Sequence, residues 1–520
     1  DGDGDGDGDG DCATSTVTLT EIGAYRNGPA VFDQSAAEIV AYDPAGELLY
    51  IVNGAASTID RVDIGDPTTP SALTALDVSS FGSGVTSVAV RNGIVAAAVP
   101  AVVDTDPGKV VFFDTTTGTA LANVDVGVLP DMLIFTPDGT KVLTANEGQP
   151  NDAYTVDPEG SVSIVDISGG VLNVTNADVS TAGFSAFNGA NAPAGVRVFG
   201  PNATVSQDLE PEYITLSADG STAYVALQEN NALAVVDVET STVSAVVPLG
   251  YKDHSLPGNE LDASNRDDPN VQDGPFINIQ NWPVFGMYQP DSIASFSLNG
   301  TEYIVSANEG DSRDYAGFSE EVRGDDLVLD PTVFPDASTL QLDANLGRLK
   351  TTTASGDIDD DGDHDVFYAF GARSFTIWDT NVNVVWDSGA DIENFLAANY
   401  PDDFNSNNDE NGSFDARSDD KGAEPEAVIT ATFDGNVHIF GGLERMGGVM
   451  VWCVDDATAP VFKTYATDRV FTGDPLADTA GGLGPEGLAF IPASESPNDL
   501  DLLVVANEVS GSVTIFTVTP

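Results

Sequence analysis

Residues 211–249 read PEYITLSADGSTAYVALQENNALAVVDVETSTVSAVVPL, and this stretch decides the fold. After Pro211-Glu212 it holds four apolar runs: through Leu216, Ala223 to Glu229, Ala232 to Val238, and Val243 to Leu249. Short runs bounded by Gly, Asp, Asn and Ser read as β-strands joined by tight turns. The first run opens on a Pro-acid pair, and the second ends on Glu229.

The same unit recurs along the chain. Pro130-Asp131, Pro290-Asp291, Pro425-Glu426 and Pro485-Glu486 open four other units, and Glu38 and Ser87 open two more. Ala-Asn-Glu closes the second run at 145–147, 307–309 and 506–508. Units of this size are the signature of radial β repeats, which protect their sheet edges by closing on themselves. The reading is therefore all-β: a seven-bladed β-propeller with a last blade one strand short. The N-terminal run Thr16 to Thr20 supplies that strand and closes the ring. Cys12 precedes it, and Cys453 lies on the third run of the neighbouring blade, within reach of a disulfide. These are the only two cysteines, which excludes a thiolate metal cluster.

Residues 1–14 read as an Asp/Gly-rich acidic leader and 15–520 as one propeller domain. Alternating carboxylates on a flexible backbone read either as a Ca²⁺ chelator or as an acidic linker without structure. Insertions interrupt the repeat near 168–207, 250–288, 310–366 and 387–422. Connections of that length in a compact domain carry function more often than short ones do.

The chain has 83 acidic and 18 basic residues, a net charge of −65. Such a surface repels nucleic acid and anionic membranes, and no apolar run is long enough for a membrane helix. The bland reading is solubility in a salty habitat. The sharper one is Ca²⁺ binding, since a hard cation takes oxygen ligands.

In a propeller the start of the innermost strand and the end of the second share one face. Here both positions are acidic: Glu38, Asp131, Glu212, Asp291, Glu426 and Glu486 at the starts, and Glu147, Glu229, Glu309, Glu444 and Glu508 at the ends. Glu210 and Glu424 add second acids in the two Glu-Pro-Glu triplets, and Asp311 follows Glu309. These positions predict an acidic ring around the mouth of the channel. Like charges so crowded need neutralising. Divalent cations can do this, with Glu147, Glu210, Glu212, Glu309, Asp311, Glu424, Glu426, Glu486 and Glu508 as ligands to a second divalent or transition metal. An internal lattice of Arg and Lys is the alternative.

A separate metal signal lies at Asp357-Ile-Asp359-Asp-Asp361-Gly362-Asp363-His364-Asp365. Carboxylates at alternate positions converge on one cation, and Gly362 permits the sharp turn. Position twelve is Tyr368 rather than Glu, so the pattern is not an EF-hand. The expected ligands to Ca²⁺ are Asp357, Asp359, Asp361, Asp363 and Asp365.

Several longer motifs resemble one family: Asp208-Leu-Glu-Pro-Glu-Tyr-Ile, Ala-Asn-Glu-Gly-Asp-Ser-Arg-Asp-Tyr at 307–315, Arg373-Ser-Phe-Thr-Ile-Trp378, Arg417 to Glu426, Gly442-Leu-Glu-Arg445 and Gly484-Pro-Glu-Gly487. Together they resemble the choice-of-anchor I family, related to mesenchyme-specific cell-surface glycoproteins of biomineralisation. The resemblance implies a secreted or surface-anchored protein, extracellular or periplasmic, with a propeller-like domain. Some bacterial relatives are labelled alkaline phosphatases.

Two functions follow. One is a metal-dependent phosphoric ester hydrolase, alkaline phosphatase- or phytase-like, in which Arg313, Arg373, Lys421 and Arg445 clamp phosphate oxygens. Ser312 is then a candidate nucleophile, although such a serine more often caps a turn. His254 and His438 are candidate acid–base groups, and His438 alternates with core residues on a strand. The other function is a non-catalytic, calcium-loaded surface protein used in adhesion, filaments or matrix. Expected partners are metal ions with phosphate esters or matrix components.

Overall fold

The computed structural model describes residues 11–28 and 31–520. The Asp-Gly leader up to Gly10 lies outside the described residues. Seven antiparallel sheets of one plan follow each other along the chain. Their innermost strands are Val40–Asp43, Ser87–Arg91, Pro130–Phe135, Ile214–Leu216, Ile293–Leu298, Pro425–Phe433 and Pro485–Ile491. Each touches the next, and Pro485–Ile491 returns to Val40–Asp43, so the ring closes. The fold is a β-propeller.

The apolar patterning explains the ring. Second strands are covered on both faces, so Leu48–Asn53 and Asn436–Leu443 are buried throughout, and they read as nearly continuous apolar runs. Core side chains gather between successive sheets. Tyr50 and Val52 of the first sheet pack with Val95 and Ala97 of the second. Leu502 and Val504 of the last pack with Leu49 and Ile51 of the first. Every sheet is therefore held by both neighbours.

The N-terminal strand Thr18–Arg26 pairs antiparallel with Ser512–Thr519, from Thr18 opposite Thr519 to Arg26 opposite Ser512. The first and last described strands thus share one sheet. The closing strand starts at Thr18 rather than Thr16 and runs on to Arg26. Cys12 and Cys453 form a disulfide with Cα atoms 5.6 Å apart. Lys463 donates to the carbonyls of Cys12 and Ser15, and the Cys12 amide donates to Asp455 Oδ2 at 2.9 Å.

The insertions behave differently from one another. The 168–207 stretch is not all insertion, because Val179–Gly183 is the fourth strand of the third sheet. The 250–288 and 310–366 stretches fuse. Tyr251–Asp253, Phe285–Met287, Tyr368–Ala369, Lys350–Thr352 and Glu321–Arg323 form a single sheet. It has its own core, including Trp282, Phe334, Leu346 and Phe367. In the 387–422 stretch the helix Asp391–Asn399 buries Ile392 and Leu396 against the sixth sheet.

Candidate functional site

The Ala-Asn-Glu strand end has one construction. Its asparagine turns inward and clamps the third strand of its own sheet. Asn146 donates to the Ser161 carbonyl at 3.1 Å and Ser163 Oγ at 3.0 Å. Asn308 donates to the Ser374 carbonyl at 2.9 Å and Thr376 Oγ1 at 2.7 Å. Asn507 reaches Thr514 Oγ1 at 3.2 Å. With its amide so held, the strand end presents the following glutamate to the channel. Gly310 then lies against the backbone of Gly371. A Cβ on Gly310 would come within 2.2 Å of Gly371 N, so this turn admits only glycine.

The acids meet as the repeat predicts. Carboxylate oxygens of Asp291, Glu309 and Glu426 converge within 4.8 Å, and so do those of Glu147, Glu212 and Glu229, and of Glu309, Glu424 and Glu444. Burial, then neighbouring carboxylates, pushes Glu147, Glu212, Asp291, Glu426 and Glu486 well above the usual range. Burial and Glu508 raise Glu38 to about 8. Burial raises Glu309 to about 7 even though Lys421 opposes the shift. Glu508 accepts from Ser35 Oγ at 2.5 Å.

Glu424 behaves in the opposite way. Burial disfavours its charge, but Lys421, Arg445 and Arg417 outweigh burial and hold it well below the usual range. Arg445 Nε lies 2.9 Å from one of its oxygens, and Arg417 binds the other. Lys421 links Glu309 to Glu424 and donates to the Gly310 carbonyl at 2.5 Å. A cleft of about 320 Å³ opens here, and Lys350, Arg417, Lys421 and Arg445 line it with Asp311, Ser312 and Asp420. Four of the chain's 18 basic residues thus face one cavity.

Two of the four expected clamp residues are elsewhere. Arg313 is fully buried. It pairs with Asp208 and with Glu210 at 3.0 Å, and its guanidinium lies 4.6 Å over the Phe199 ring. Arg373 is buried against Glu393 at 2.6 Å and donates to the carbonyls of Asp262, Ser418 and Asp420. Both brace loops and neither can reach a ligand in the cleft. Lys350 and Arg417 stand in their places. Arg417 lies within a motif visible in the sequence, whereas Lys350 reaches the cleft only because the insertion sheet carries it there.

Ser312 lines the cleft, where its amide caps Asp311 and its hydroxyl lies 3.4 Å from Glu321. That carboxylate is itself paired with Lys350, and no histidine lies beside the hydroxyl among the described residues. His254 is buried in the insertion sheet with Nδ1 2.7 Å from the Asn259 carbonyl, and burial holds it well below its usual value. His438 stacks on Phe433 at 3.8 Å. Neither histidine lines the cleft.

The aspartate loop divides its carboxylates between two groups. Asp357, Asp359 and Asp361 form one, and Asp363 and Asp365 join Asp330 in the other. Asp330 comes from 27 residues before the loop, and its amide donates to the His364 carbonyl at 3.1 Å. That contact stitches the loop to the insertion.

One prediction follows from the raised carboxyl groups. A carboxyl whose folded pKa exceeds its unfolded value keeps its proton longer when folded. Its stabilising contribution is complete below the unfolded value and is lost as pH rises through the folded one. With Glu38 at about 8 and Glu309 at about 7, chelator-treated protein is expected to lose stability steadily from pH 5 to pH 8. The slope is about 1.4 kcal/mol per pH unit for each retained proton. Ca²⁺ should restore far more at pH 8 than at pH 5. Thermal melts across this range check it, and a flat profile in chelator refutes it.

The sequence pattern described as Choice-of-anchor I domain matches residues 38–457. Gigasin-3a of Magallana gigas is 30% identical over 189 residues, which covers 34% of this chain and 66% of that relative. Among solved structures, a chain of Kuenenia stuttgartiensis hydrazine synthase aligns with a TM-score of 0.48 at 13% identity, covering 93% of this chain and 96% of that one. A chain of the mitotic checkpoint complex aligns at 0.46 and 8% identity, covering 97% and 96%.

Proposed function

The chain belongs to the choice-of-anchor I domain family, and from that premise we propose a secreted or cell-surface, calcium-binding propeller that hydrolyses phosphate esters at its channel mouth. The observation that carries this is the cleft, where four cationic side chains border a convergence of buried carboxylates. Elsewhere so acidic a chain repels an anionic substrate; here it offers Lys350, Arg417, Lys421 and Arg445.

The residues fit a divalent cation beside that cleft. Asp291, Glu309 and Glu426 offer only carboxylate oxygens, and Glu426 Oε2 is buried without a hydrogen-bond partner. Hard oxygen donors suit Ca²⁺, Mg²⁺ or Mn²⁺. When bound, such an ion polarises the phosphoryl group and lowers the pKa of water. The protein's own side chains do the rest. Arg417 and Arg445 orient phosphoryl oxygens, and Lys421, held between Glu309 and Glu424, adds a fixed positive charge. Asp311, raised to about 6 chiefly by burial, is poised to hold or release a proton near neutral pH.

The test is turnover of p-nitrophenyl phosphate by pure protein with Ca²⁺, Mg²⁺ or Mn²⁺, with and without chelator. We expect metal-dependent turnover that falls about 100-fold in Glu309→Gln. No turnover with any of these ions overturns the hydrolase reading. One observation favours the non-catalytic surface or matrix reading: every cation of the cleft is already paired with a carboxylate.

A further inference from the structure

Positive charge is spread unevenly around the acidic ring. Lys421, Arg417 and Arg445 crowd the side built from the fifth and sixth sheets. On the side of the third and fourth sheets, Arg313 is spent on Asp208 and Glu210. Glu229 is near enough for Arg313 to feel its charge, but neither it nor Glu147 or Glu212 is paired with that guanidinium. Among the described residues, none of these three forms an ion pair.

Each comes from a different strand end. Glu147 follows Lys141–Asn146, Glu212 precedes Ile214–Leu216, and Glu229 lies two residues after Thr222–Leu227. Their oxygens lie within 4.8 Å of one another. Glu229 is 4% exposed, and its Oε2 is buried with no partner, as is Oε2 of Glu212. The one side-chain hydrogen bond to the trio comes from Gln149 to Glu147. Leaving buried carboxylate oxygens unpaired is costly, and converging three of them multiplies the cost unless they take up protons or a cation sits between them.

We propose that Glu147, Glu212 and Glu229 form a separate binding site for a hard divalent cation, Ca²⁺ foremost, on the side of the channel that the lysine and arginines leave bare. An all-carboxylate donor set without Cys or His disfavours zinc and copper. The site also has a roof. The hairpin Asp314–Tyr315/Phe318–Ser319 reaches from the insertion to the loop that follows Glu147, where the Gly317 amide donates to the Asp152 carbonyl at 2.7 Å. Tyr154 packs edge-on against Tyr315 and Phe318, each at 5.6 Å. A Cβ on Gly317 would meet the Ala153 backbone at 2.4 Å, so the fit is close. The hairpin therefore pins the Glu147 loop, and the cation would hold that loop to the fourth sheet from below.

The site does not depend on phosphate ester hydrolysis, and its test counts ions instead of turnover. Full-length protein is dialysed to equilibrium against radioactive Ca²⁺ at pH 8, beside Glu229→Gln and a loop control, Asp359→Asn/Asp361→Asn. Glu229→Gln is expected to bind one ion fewer than the unsubstituted protein, and to lose a further ion when combined with the loop control. An unchanged count overturns the proposal. If Glu229→Gln does not fold, the partly exposed Glu212→Gln gives the same reading. Turnover measured on the same samples keeps the two ideas apart: an ion lost from a protein without turnover supports this site and refutes only the hydrolase.

Discussion

Reduction of the Cys12–Cys453 bond, or Cys453→Ser, is expected to produce a large loss of stability. The bond closes a loop with a sequence separation of 441 residues. Chain entropy sets an upper limit of about 6 kcal/mol for such a loop, and realised values fall at about 2–5 kcal/mol. Position adds to this. The bond pins the segment just before Thr18–Arg26, the strand that pairs with Ser512–Thr519 to complete its sheet. Once it is cut, the strand ladder, the Lys463 and Asp455 contacts and the Arg26 pairs with Asp468 and Asp478 are left to hold the segment. The urea midpoint of Cys453→Ser should therefore drop, and proteolysis should begin near residues 12–26. An unchanged midpoint would mean that the strand ladder closes the ring unaided.

The second large effect is expected from Arg313→Met. The guanidinium is fully buried, and removing it leaves Asp208 and Glu210 as adjacent buried carboxylates with no counter-charge. Breaking one side of such a pair costs about 3–5 kcal/mol. Asp208 would still accept from the amides of Phe199 and Gly200, at 2.8 and 2.7 Å, so the loss should be large without being total. A double replacement, Arg313→Met with Glu210→Gln, should recover part of it. Urea unfolding of these two variants and of Glu210→Gln alone measures the coupling. A loss below about 1 kcal/mol in Arg313→Met would refute a structural role and reopen a role in binding.

The repeat was legible because it is local. Strand alternation, turn residues and the Pro-acid and Ala-Asn-Glu signatures all lie within a single repeat unit, and ring closure then places equivalent positions on one face. Glu309 could thus be assigned to the channel mouth from its strand end alone. The aspartate loop was legible for the same reason, although its partner Asp330 was not.

The arginines were misread. Arg313 and Arg373 stand near acidic strand ends in sequence, just as Lys421 and Arg445 do. Nothing local distinguishes a guanidinium that braces a loop from one that faces a cleft. The difference depends on Phe199, Asp208, Glu393 and Asp262, which lie 20 to 114 residues away along the chain. Lys350 was missed because only its pairing with Glu321–Arg323, 27 or more residues earlier in the same insertion, and its ion pair with Asp420 carry it to the cleft.

By itself, the sequence determined the propeller, the closing strand, the acidic channel mouth and the candidate calcium loop, because each rests on periodicity and short-range backbone chemistry. Only the tertiary structure decided which carboxylates are neutralised by lysine or arginine and which stand unpaired. Ion pairing depends on distance and burial, and both are set by contacts between segments far apart in the chain. In a protein of net charge −65, the uneven distribution of 18 positive side chains gives the acidic ring one side lined by lysine and arginine and one side of carboxylates without ion pairs.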